Sequence, residues 1–88
     1  MLSLEYTKAF ERDVKRLKKR GKNLGRLTEV IRSLAEGSSL SAKNRKHKLT
    51  GNYRDHWECH VEPDFLLIYR KIQGVLVLVR AGTHSDLF

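Results

Sequence analysis

Hydrophobic residues recur along this chain with two different periods, and the change of period separates a helical region from a β region. Between residues 8 and 36 they recur at helical spacing in two segments. The apolar stripes are Phe10, Val14 and Leu17 in the first segment, and Leu24, Leu27, Val30, Ile31 and Leu34 in the second. Thr7 and Asn23 are placed to cap these helices, and Gly21 and Gly37 to end them. The short connection predicts an antiparallel helical hairpin.

From residue 53 onwards the period changes to two, which is typical of β-strands. The predicted strands cover about residues 53–61, 65–72 and 75–81. The connections at residues 62–64 and 73–74 are short, so these strands pair as an antiparallel meander. Residues 2–6 predict a short first strand at the edge of the same sheet, and residues 83–88 a single helical turn. The predicted fold class is therefore α+β.

The length fits one small domain covering residues 1–88, since a chain of this size has surface for one core only. Residues 38–46 are polar and predict a loop, and Gly51 with Asn52 predicts a turn. No apolar run approaches the roughly 20 residues that span a bilayer. The first residues also lack the basic-then-apolar pattern of a secretion signal. We therefore expect a cytoplasmic protein that has no membrane partner.

Charge narrows the choice of partners. The chain has 18 Lys and Arg residues against 10 Asp and Glu, a formal net charge of +8. The positive electrostatic field of such a protein favours binding to a polyanion, which can be nucleic acid, an acidic protein or an anionic membrane surface. Its single cysteine, Cys59, excludes an internal disulfide and a Cys-based zinc site. Cys59 shares a strand face with Trp57 and Val61, and we expect that face to be buried.

The other face of that strand carries titratable side chains. Period-two alternation places Glu58, His60 and Glu62 there, and the following turn can bring Asp64 close to His60. His47 and His84 add two imidazoles whose position the pattern leaves open. One possible chemistry is metal binding by His60, Asp64 and His84. The basic surface favours a second, general acid–base cleavage of RNA, in which a 2′-hydroxyl attacks the adjacent phosphate.

Three sequence blocks resemble the small bacterial toxins of the RelE/ParE superfamily, and specifically their YafQ-like branch. The blocks are H-K-L-T-G-N-Y at residues 47–53, H-V-E-P-D-F-L-L-I-Y at residues 60–69, and R-A-G-T-H-S-D-L-F at residues 80–88. With the start Y-T-K-A-F-E-R-D at residues 6–13, the resemblance covers essentially the whole chain. It implies a RelE-like sheet packed on a helical hairpin, in agreement with the periodicity.

The resemblance also implies a function. Toxins of this kind are ribosome-dependent endoribonucleases that cut messenger RNA in the ribosomal A site and need neither metal nor other cofactor. An acidic cognate antitoxin protein keeps them silent. The expected partners are therefore an antitoxin, mRNA, and the ribosome, whose RNA the basic helices would contact.

The resemblance assigns roles to individual residues. The expected catalytic residues are His47, His60, Asp64 and His84, and the expected substrate-binding residues are Glu58, Arg80 and Phe88. His84 is the first choice for general acid, Arg80 suits phosphate stabilisation, and Phe88 would place a base. The general base stays open between His60 and Asp64, because coupled groups can share that role.

Two alternatives stay open, and one departure from the pattern supports the second of them. Relatives commonly have Arg three residues before the motif histidine, where this chain has Trp57. If that arginine contacts phosphate, its loss lowers activity or transfers its role to Arg54 or Arg80. One alternative is a ParE-like gyrase inhibitor, which would not need the histidine and aspartate set. The other is an inactive toxin that acts only with its antitoxin in operon repression.

Overall fold

A computed structural model describes residues 1–37, 46–49 and 55–88, apart from the side chain of His47. The elements in chain order are β1 (Ser3–Tyr6), α1 (Lys8–Lys19), α2 (Gly25–Glu36), β2 (His47–Lys48), β3 (Trp57–Glu62), β4 (Phe65–Ile72), β5 (Val75–Gly82) and α3 (His84–Leu87). The strands form one sheet in the order β1-β5-β4-β3-β2. The predicted α+β architecture, with its N-terminal strand, two helices, meander and C-terminal helical turn, is confirmed.

The sheet contains one strand that the sequence did not predict. β3, β4 and β5 pair antiparallel and β1 lies at the sheet edge, both as predicted, and β1 runs parallel to β5. The additional strand is β2, which places the backbone of His47 opposite Glu58 of β3. Two residues are too few to show an alternation, so the sequence carries no signal for β2.

Local hydrogen bonds explain where the helices begin and end. The Thr7 hydroxyl accepts from the Phe10 amide at 3.0 Å, as the capping prediction requires. Asn23 is not the N-cap itself, because α2 begins at Gly25 and the Asn23 side chain accepts from the Gly25 amide at 2.8 Å. Gly37 ends α2 with φ of 78°, a left-handed conformation that favours glycine.

Both faces of the sheet are covered. The two helices pack on one face, and the core there includes Phe10, Leu17, Leu27, Val30, Leu34, Cys59, Phe65, Leu67, Tyr69, Leu76 and Leu78. On the opposite face Leu66 and Ile68 of β4 pack with Leu87 of α3, beside Leu49 and Val79. The apolar character of β4 on both faces predicts this arrangement. We call the second face the α3 face.

The predicted start of β3 and the position of Glu62 are wrong. The strand begins at Trp57 and not at residue 53, because Asp55 has φ of 67°, which an extended strand does not allow. A bulge between His60 and Glu62 then shifts the register, so that Glu62 lies opposite Phe65 and forms ion pairs with Lys22 and Arg26 on the helix side. Residues 38–45 of the predicted loop at 38–46, the predicted turn at residues 51–52, and Arg54 lie outside the described residues.

The helices within residues 1–37, 46–49 and 55–88 are all too short or too polar to cross a membrane.

Candidate active site

The C-terminal helix α3 brings His84 into contact with Asp64. The His84 Nδ1 atom lies 2.6 Å from Asp64 Oδ1, and the His84 backbone amide donates to the same oxygen at 2.9 Å. A carboxylate can only accept, so the hydrogen on this ring nitrogen is assigned to Nδ1. These two hydrogen bonds, of which the backbone bond has the larger effect, hold the pKa of Asp64 below its usual value. Asp64 is therefore ionised at neutral pH, and the Nε2 atom of His84 points away from it.

His60 lies next to this pair. The centroids of the His60 and His84 rings are 5.9 Å apart, with the rings tilted by 60°. The His60 Nδ1 atom lies 3.3 Å from the Pro63 carbonyl oxygen in the turn before β4. Its Nε2 atom is 3.6 Å from Glu58 Oε1, and both side chains are largely buried. The strand that carries His60 and the helix that carries His84 thus converge on one turn.

Arg80 approaches the same face from β5. Ile68 of β4 lies opposite both Glu58 and Arg80, and directly opposed residues project from the same face of a sheet. The Arg80 guanidinium is held by Asp13 of α1, with 2.7 Å from Nε to Oδ2 and 3.0 Å from Nη2 to Oδ1. The Arg80 side chain remains 23% exposed. It is therefore oriented by the protein and still accessible to a ligand.

Asp13 is a site-supporting residue that the sequence analysis missed. It is only 1% exposed, and besides Arg80 it accepts from the Ala81 amide at 3.0 Å and pairs with Arg16. The available signal was its position in α1, three residues after Phe10 and four before Leu17, which puts it on the buried stripe. A carboxylate at such a position requires a buried partner.

The remaining predicted residues have different surroundings. Phe88 follows α3, and its ring is exposed while its amide donates to the His84 carbonyl at 2.9 Å. The backbone of His47 lies in β2 opposite Glu58, and its side chain is outside the described part of the chain. Trp57 packs against the helix-side core, with Lys46 Nζ 4.8 Å from its ring centroid. The Trp57 side chain is therefore on the opposite face of the sheet from His60 and Glu58.

Comparison with known proteins identifies the family. Residues 2–88 match the family described as the bacterial toxin of type II toxin–antitoxin system, YafQ. The chain belongs to the YafQ toxin family. The "mRNA interferase toxin YafQ" of Escherichia coli strain K12 is 35% identical over 86 residues, which cover 97% of this chain and 94% of that protein. The family predicted from the sequence blocks is confirmed.

Solved structures of bacterial toxins share the fold over the whole chain. A metal-bound toxin from Helicobacter pylori is 42% identical, with a TM-score of 0.93 and complete coverage of both chains. The E. coli toxin in the DinJ–YafQ complex is 34% identical with a TM-score of 0.91, covering 100% of this chain and 99% of that one. In residues 1–37, 46–49 and 55–88 of this chain, no three His, Cys, Asp or Glu side chains are arranged to hold a metal ion.

Proposed function

We propose that this YafQ-family toxin is a ribosome-dependent mRNA endoribonuclease that cuts in the A site by acid–base catalysis. The observation that carries the proposal is the hydrogen-bonded pair of His84 and Asp64 beside His60. The His84 side chain is 56% exposed, so a substrate oxygen can reach its Nε2 atom. An imidazole can both give and take a proton, and one that is oriented by a carboxylate is well suited to proton transfer.

The surroundings of the two histidines suggest separate roles. The 2′-hydroxyl of the RNA attacks the adjacent phosphorus, and His60 takes its proton as the new bond to oxygen forms. The bond from phosphorus to the 5′-oxygen breaks, and His84 protonates that oxygen, which leaves a 2′,3′-cyclic phosphate and a 5′-hydroxyl. Asp64 has a lowered pKa and is therefore a weak base, so we assign it to orienting His84 and stabilising its charged form. Buried Glu58 would act through His60 in the same way.

The other predicted residues bind the substrate in this proposal. Arg80 stabilises the charge that develops on the phosphoryl oxygens, because Asp13 fixes its guanidinium in one orientation. The exposed ring of Phe88 offers a stacking surface for a base. His47 remains a candidate for proton transfer or phosphate contact. The position of Trp57 on the helix-side core argues that replacing the common arginine there leaves the α3 face intact.

We further propose that the toxin works in the cytoplasm, where an acidic cognate antitoxin silences it. The net charge of +8 favours such a partner, and the related E. coli toxin has been crystallised in the DinJ–YafQ complex. The same charge favours ribosomal RNA as the surface to which the toxin docks. Co-expression with the product of the neighbouring gene should yield a complex that dissociates at high salt. Separate elution of the two proteins at low salt would contradict the antitoxin assignment.

The test of activity is to map mRNA 5′ ends after a brief induction of the toxin. Cuts within translated frames at fixed codon positions, absent when translation initiation is blocked, support a ribosome-dependent nuclease. His84→Ala and Asp64→Ala should relieve growth arrest while far-UV circular dichroism stays unchanged. Ser85→Ala, an exposed neighbour on α3, is the matched control and should remain toxic. Full toxicity of both site variants, or gyrase inhibition without mRNA cleavage in a supercoiling assay, would reject the nuclease.

A further inference from the structure

The end of α1 is joined to α3 by an ion pair with two hydrogen bonds. Arg20, the C-cap of α1, donates from Nη1 to Asp86 Oδ2 at 2.9 Å and from Nη2 to Oδ1 at 3.0 Å. Asp86 Oδ2 also accepts from the Thr83 amide at 3.0 Å, and the Asp86 amide donates to the Thr83 hydroxyl at 3.2 Å. Asp86 therefore connects Arg20 to the residue immediately before His84.

α3 depends on such contacts for its position. A helix of four residues has too few internal hydrogen bonds to persist by itself. Leu87 anchors one side of it in the α3 face, and Asp86 anchors the other. The Asp86 side chain also packs closely against the backbone at Gly82. A Cβ atom at Gly82 would lie 2.9 Å from both the Asp86 Cβ and Oδ2 atoms. These contacts together hold residues 82–86 in one conformation.

We propose that Arg20 is a positioning residue that holds His84 in its catalytic geometry through Asp86, an inference that rests on the function proposed above. An ion pair with an arginine that is 47% exposed adds little to folding stability. Its geometric effect is larger, because a displacement of about 1 Å at a reacting group can cost about a hundredfold in rate. Loss of Arg20 should therefore reduce turnover much more than stability.

The experiment compares variants that change the net charge in opposite directions. Arg20→Gln removes a positive charge and Asp86→Asn removes a negative one, yet both break the pair. Each should lower kcat for cleavage of ribosome-bound mRNA by about tenfold to a hundredfold, with KM within about twofold of wild type. The double variant should be no worse than Asp86→Asn. Lys19→Gln, which removes an exposed positive charge one residue earlier, should cleave like wild type.

A second measurement needs no RNA. The two hydrogen bonds from His84 keep the pKa of Asp64 low. A carbon-13 NMR titration of the Asp64 carboxyl therefore reports whether α3 holds His84 against Asp64. In Arg20→Gln this pKa should move up towards its usual value, and in Lys19→Gln it should not. An unchanged Asp64 titration in Arg20→Gln overturns the inference, as does an equal loss of kcat in Lys19→Gln. If the wild-type protein cuts no mRNA, the proposed function fails, and the Asp64 titration still decides whether Arg20 positions α3.

Discussion

Replacing Asp13 by alanine should destabilise this toxin more than any other change to a charged side chain of α1. Its carboxylate is 1% exposed and accepts from Arg80 and from the Ala81 amide, besides pairing with Arg16. Truncation removes the acceptor that Arg80, Arg16 and the Ala81 amide share. It also removes the group that orients Arg80, so cleavage should fall together with stability.

The size of the effect follows from the burial of the donors that remain. The Ala81 amide is buried, and leaving it unsatisfied costs about 1–3 kcal/mol. Breaking a fully buried ion pair costs about 3–5 kcal/mol, but Arg80 is 23% exposed and recovers part of this through hydration. We therefore expect Asp13→Ala to lower the free energy of unfolding by about 3 kcal/mol. In a domain of this size that corresponds to a decrease in Tm of about 12–24 °C.

Thermal and urea unfolding, followed by circular dichroism, measure this effect. Asp13→Asn keeps one acceptor oxygen for the Ala81 amide and should lose about half as much. Glu11→Ala, at an exposed acidic position of the same helix, should stay within about 0.5 kcal/mol of wild type. Arg80→Met in the Asp13→Ala background should cost less than it does alone, because the two residues share one interaction. A Tm for Asp13→Ala equal to that of Glu11→Ala would refute the buried ion pair.

Four further outcomes follow from single contacts. Tyr69→Phe should raise the free energy of unfolding by about 1 kcal/mol in denaturant titrations, since its buried hydroxyl has no hydrogen-bond partner in the described part of the chain. Burial raises the pKa of Cys59 to about 12, so alkylation at pH 8 should be at least about 100-fold slower in the folded protein than in urea. Gly82→Ala should dislodge Asp86 and reduce mRNA cleavage. The pKa of Asp86 is held low, chiefly by the Arg20 hydrogen bonds. The small contribution of this exposed pair to stability is therefore present at neutral pH and lost as the pH falls below about 4, and Asp86→Asn should remove this small pH dependence in acid-unfolding measurements.

Much of the fold could be predicted from the sequence because its signals are local. The stripes of α1 and α2 and the two-sided apolar runs of β4 and β5 each occupy consecutive residues, and short connections then determine which strands pair. The bulge in β3 could not be predicted. It adds one residue to a strand without a distinctive residue type, and it moves Glu62 from the face of His60 to that of the helices.

The candidate site was less accessible to sequence reasoning. The alternation in β3 correctly puts Glu58 and His60 on one face, but it says nothing about His84, which meets Asp64 across 20 residues of chain. The resemblance to the toxin family assigned His84 and Asp64 to one site, but the hydrogen bond between them is seen only in the structure. The contacts of Asp13 with Arg80 and of Arg20 with Asp86 span 67 and 66 residues. Periodicity within a helix identifies its buried face, but it does not identify the distant side chains that this face contacts.

These two long-range contacts come from one helix and support two different parts of the site. Asp13 and Arg20 are seven residues apart, close to two helical turns, so they lie on the same side of α1. Asp13 orients Arg80 on β5, and Arg20 seats the helical turn that follows β5 and carries His84. The distance between Arg80, the proposed phosphate-binding group, and His84, the proposed general acid, is thus set by α1 as well as by the sheet. His60 lies in β3 and Asp64 in the turn between β3 and β4, so the bond from Asp64 to His84 is where the two halves of the site join.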